Sequence, residues 1–60
     1  MNEKQKHAIK NFDNYKLLDM YNSYYIKMIN SLVPPAEDTA IYDGLRAEIL
    51  ERMQKGVNNV

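Results

Sequence analysis

Cysteine and tryptophan are absent from this chain, histidine occurs once, and glycine and proline occur twice each. Without cysteine there are no disulfides and no thiolate zinc sites. A single histidine, His7, cannot build an imidazole cage, so neither a metal nor a cofactor is expected. Gly44 and Gly56 are too few and too far apart for a glycine-rich phosphate loop. No apolar run reaches the length of a signal-peptide core or a membrane span, which points to a cytoplasmic protein without membrane contact. The 60 residues suffice for one small domain. Domains of this size usually complete their cores with disulfides, a metal or self-association. With the first two excluded, association is the expected remedy.

Net charge is also absent, because 8 basic side chains balance 8 acidic ones. Residues 1–16 are lysine-rich, while residues 34–60 carry Arg46, Arg52 and Lys55 against Glu37, Asp38, Asp43, Glu48 and Glu51. A dedicated nucleic-acid binder needs a basic face to displace counterions. The weakly basic N-terminal end reads instead as a solvated lysine-rich segment.

What is present is helical periodicity. Leu18, Tyr21, Tyr25, Met28 and Leu32 step by three and four residues. Leu17, Met20, Tyr24 and Ile29 flank that seam and widen the apolar arc beyond what one neighbouring helix would cover. Lys16, Asp19, Asn22, Ser23, Lys27 and Asn30 fill the polar half, with Ile26 as an outlier among them. Ala8, Ile9 and Phe12 are out of phase with the seam, which predicts a break near Asn11–Asn14 capped by Asp13 or Asn14. The alternative is one long helix whose ends contact different subunits. Val33 before Pro34-Pro35 marks the end of the central helix, and Pro35 suits the first turn of the next. In that helix Tyr42, Leu45, Ile49 and Met53, with Ile41 beside them, form the expected buried stripe. Glu48–Arg52 and Glu51–Lys55 are i,i+4 pairs, and Gly56 is the expected stop before a frayed tail. The reading is all-α: an N-terminal segment over 1–12, a central helix over 14–33 and a second helix over 35–55. Together they form an antiparallel hairpin with a short N-terminal helix, paired as a homodimeric helical bundle.

Catalysis has little to work with. His7 has no serine or cysteine nucleophile arranged near it, and the carboxylates serve as caps and ion pairs, so no enzyme is expected. The five tyrosines are more informative, since tyrosine combines large apolar area with a polar tip and recurs in interfaces. Tyr21, Tyr25 and Tyr42 lie on the seams and read as core, within one copy or between two. Tyr15, Tyr24 and the outlying Ile26 are candidates for contact with another chain. Ala36, Ala40 and Gly44, with Ala47 on the same side, form a small-residue ridge. That ridge is either a plain solvent face or a place of close helix approach, with Ala40 and Gly44 as candidate contacts. A helix-turn-helix DNA binder shares the helical outline, but the second helix is acidic and offers no cluster of base-reading side chains.

The run Tyr21-Asn22-Ser23-Tyr24-Tyr25, continuing to Leu32-Val33, resembles the central helix of the YvfG family of short helical proteins of bacilli. Leu17-Leu18 with Tyr21, and Leu45-Arg46-Ala47-Glu48-Ile49 with Arg52, resemble the helical hairpin of Sda-type sporulation kinase inhibitors. The connection here is longer than in those hairpins and contains Pro34-Pro35. Both resemblances imply a Gram-positive or phage-type small protein that acts by contact. The expected function is modulation of a host regulatory protein, either a transcriptional repressor of the SOS type or a sensor kinase. A dimeric DNA-binding factor and a structural assembly subunit are the alternatives.

Overall fold

The computed structural model describes Asn2 to Asn58. It is all-α, with α1 over Glu3–Asn11, α2 over Asn14–Ile29 and α3 over Ala36–Asn58, and no strand occurs among the described residues. Each start has a local cause. The Asn2 side chain accepts the Gln5 N–H at 2.8 Å, and the Gln5 side chain accepts the Asn2 N–H at 3.1 Å. That reciprocal pair satisfies two of the donors a helix leaves free at its N-terminus. The chain turns extended at Phe12 and Asp13. There the Asp13 carboxylate accepts the Lys16 N–H at 2.8 Å and opens α2.

Three boundaries differ from the sequence reading. The central helix ends at Ile29 rather than Val33, with the Asn30 N–H still bonded to the Ile26 carbonyl at 3.1 Å. Pro34 bars only Val33 directly from helical backbone, but Asn30 and Ser31 favour caps and turns, so the exit begins earlier. Leu32 therefore leaves the seam and is fully exposed. Pro35 stands just outside α3, where its carbonyl accepts the Thr39 N–H at 3.1 Å and the Thr39 hydroxyl at 3.2 Å. At the other end Gly56 does not stop the helix, because it keeps a negative φ and α3 runs on to Asn58. The expected frayed tail is thus partly helical, and Asn59 and Val60 lie outside the described residues.

The core takes one buried residue from each helix: Ile9, Leu17 and Leu45, the last of these 0% exposed. Phe12, Met20, Tyr21, Tyr24, Ile41 and Ile49 pack around them. The centre of α2 is therefore Leu17, one residue and about 100° away from the expected Leu18. The cause is α1. After the turn at Phe12 it packs on α3, and the α2 side that meets both helices is that of Leu17, Met20 and Tyr24.

Arg52 fixes this corner. Its Nε donates to Glu48 at 2.9 Å and one terminal nitrogen donates to the Asn14 side chain at 2.8 Å. The other terminal nitrogen donates to the carbonyls of Lys10 at 3.2 Å and Phe12 at 2.7 Å. One guanidinium thus satisfies carbonyls that α1 leaves free at its C-terminus and also binds the first residue of α2. Lys10 adds ion pairs to Glu48 at 3.7 Å and Glu51 at 3.8 Å. Gly44 and Ala47 share a small depression with Lys6, Ile9 and Lys10. That side of the small-residue ridge is thus approached by a helix of the same chain.

Candidate functional site

With α1 occupying one side of the α2–α3 pair, the other side stays open. Leu18 and Tyr25 of α2 and Leu50 and Met53 of α3 are 42% to 61% exposed. Two adjoining depressions of about 310 Å³ each run along this side. They share Leu18, Ile49 and Met53; the first adds Asn14, Leu17 and Arg52, the second Tyr21, Arg46 and Leu50. Arg52 is already engaged by four acceptors, whereas no carboxylate lies within ion-pair distance of Arg46 among the described residues. Few polar groups converge on the groove, which suits an apolar protein surface better than a small polar ligand.

Tyr21, which lines the second depression, belongs to a tyrosine cluster. The Tyr21 and Tyr42 rings stack with centroids 5.3 Å apart, and their hydroxyls are 3.2 Å apart. Tyr25 lies 6.4 Å from Tyr21 and 6.5 Å from Tyr42. The hydrogen bond with Tyr21 raises the Tyr42 pKa above its ordinary 10.0, with desolvation and the Tyr21 charge acting in the same direction. Glu51, by contrast, is held below its ordinary 4.5 by its bond to Lys55 and by the charges of Lys10 and Lys55. Among the described residues, no three His, Cys, Asp or Glu side chains gather to hold a metal ion. No described helix is long and apolar enough to cross a membrane.

The residues of the expected seam separate into three groups. Leu17 and Leu45 are buried, Tyr21, Met28, Tyr42 and Ile49 are half-buried, and Leu18, Tyr25, Leu32 and Met53 are exposed. Of the candidate contact residues, Tyr15 and Ile26 are exposed. Tyr24 packs on the core under the Lys27 ammonium, 4.8 Å from the ring centre, and Ala40 and Gly44 are half-buried. Leu50 and Arg46 line the groove and were not among the expected site residues. Their spacing held the signal: Arg46, Leu50 and Met53 follow one another by four and three residues, beside the Leu45–Ile49 stripe. Comparison with known protein families, curated proteins and solved structures returns no match.

Proposed function

We propose that this chain is a small cytoplasmic regulator that acts by protein contact and performs no chemistry of its own. In this reading α2 and α3 form an antiparallel hairpin, supported by the pairing of Asn14 with Arg52, Tyr21 with Tyr42 and Met28 with Thr39. Its contact surface is the groove between them. The observation that carries the proposal is the open apolar face of Leu18, Tyr25, Leu50 and Met53 on a molecule whose core residues are otherwise covered. Apolar area left in water in this way is characteristic of contact sites. The occupant that fits is an amphipathic helix of a regulatory protein, a repressor or sensor kinase, bearing a carboxylate to meet Arg46. The likeness to short helical proteins of bacilli belongs to the same proposal.

A photo-crosslinking residue at position 50, with position 7 on α1 as the control, tests this in the source cell. The expected result is an adduct with a repressor or kinase from position 50 alone. In the purified pair, Leu50→Glu should then weaken binding by at least about tenfold, equivalent to about 1.4 kcal/mol. Adducts only with further copies of the chain would overturn the regulator in favour of a structural subunit. Adducts with DNA, or salt-dependent duplex binding, would overturn it in favour of a transcription factor.

A further inference from the structure

One-electron oxidation of this chain falls on tyrosine. With cysteine and tryptophan absent, the phenols are the side chains that give up an electron most readily. Three of the five meet where α2 faces α3. Tyr21 and Tyr42 are the nearest pair, with ring centroids 5.3 Å apart, planes inclined by 21° and hydroxyl oxygens 3.2 Å apart. Because the oxygens are nearer than the centroids, the two rings converge toward their hydroxyl ends. Those ends carry the Cε carbons, where a phenoxyl radical holds much of its unpaired electron. Both residues are half-buried, so a small oxidant can reach them. Tyr25 stands further off, 6.4 Å from Tyr21 and 6.5 Å from Tyr42. Tyr15 is 84% exposed and stacks on no other ring among the described residues.

We infer that Tyr21 and Tyr42 form a site of oxidative modification, where a one-electron oxidant joins the two rings as a dityrosine and staples α2 to α3. The oxidant belongs to the class of radical generators, a peroxidase or a photosensitiser, and two equivalents are consumed. Each removes one electron from one phenol, whose hydroxyl proton passes to water. The two radicals then pair as a new Cε–Cε bond. Each bonded Cε afterwards loses its hydrogen to the oxygen of its own ring, which restores both aromatic rings and both hydroxyls. The net change is one new C–C bond, the loss of two hydrogen atoms and a two-electron reduction of the oxidant. Holding both rings in one molecule favours this link over coupling between copies, because proximity replaces a bimolecular encounter. The product closes a loop from residue 21 to residue 42 and so restricts the unfolded chain. The link requires no partner in the groove, although Tyr21 lines it.

Illumination of the purified full chain with tris(bipyridine)ruthenium and persulfate supplies the oxidant. The expected product is a monomer lighter by two hydrogen atoms, with dityrosine fluorescence and with the Tyr21 and Tyr42 peptides joined. Tyr21→Phe and Tyr42→Phe should each abolish it, while Tyr15→Phe and Tyr25→Phe should leave it. Should a variant fail to fold, peptide mapping of the native chain decides without any substitution. In unfolding urea the yield should fall by at least about tenfold, since proximity is lost. The linked monomer should melt at least about 5 °C higher than the unlinked one. Links only between copies, links through Tyr15 or Tyr25 instead, no link at all, or an equal yield in urea would overturn the site. An unchanged melting temperature of the linked monomer would overturn the staple.

Discussion

Arg52 does more than its place in the sequence announced. The pattern showed only an i,i+4 pair with Glu48, whereas the structure adds Asn14 and the carbonyls of Lys10 and Phe12. Main-chain acceptors leave no trace in a side-chain pattern, so this role was not legible beforehand. Arg52→Ala should cost about 2 kcal/mol in urea unfolding, since it strands carbonyls as well as removing charged bonds. Arg52→Lys should recover less than about half of that, because an ammonium lacks the planar fork. Tyr42 gives a second expectation. Its raised pKa means that the folded chain holds this proton more tightly than the unfolded chain does. The associated stability is fully present below the ordinary 10.0 and is lost as pH rises through the folded value. Melting temperature should therefore fall more steeply above about pH 10 in the native chain than in Tyr42→Phe.

Among the elements, the two breaks between helices were legible, whereas the end of α2 at Ile29 and the run of α3 past Gly56 were not. The phase shift at Ile9 and Phe12, the Asp13 cap and the Pro34-Pro35 pair each leave their mark within a few residues. The rotation of α2 was not legible. Its apolar arc is wide enough to hold two stepped seams, one through Leu17 and Tyr24 and one through Leu18 and Tyr25. Which one turns inward depends on α1 packing against α3, a contact between distant parts of the chain. Alanine substitution separates the two seams. Leu17→Ala should cost about 2–5 kcal/mol, a large part of the stability of so small a domain. Leu18→Ala should cost the dilute chain less than about 0.5 kcal/mol, with chemical denaturation as the measurement.

The whole molecule measures 41 × 23 × 16 Å, and its core is a single contact among three helices. The absence of disulfides was legible from the absence of cysteine. The division of surfaces was not, because it required knowing which side α1 covers. The Arg52 corner has a further meaning when viewed along the folding pathway. Its bond to Phe12 spans 40 residues. Helix α2, by contrast, forms from contacts four residues apart. Closing so large a loop carries an entropic cost that nearby contacts do not face. By this argument the guanidinium is expected to act as a late latch, its bonds from the third helix to the end of the first forming after those within each helix. Opening the latch would loosen the C-terminal end of α1, which Ile9 in the core and the Lys10 ion pairs still hold.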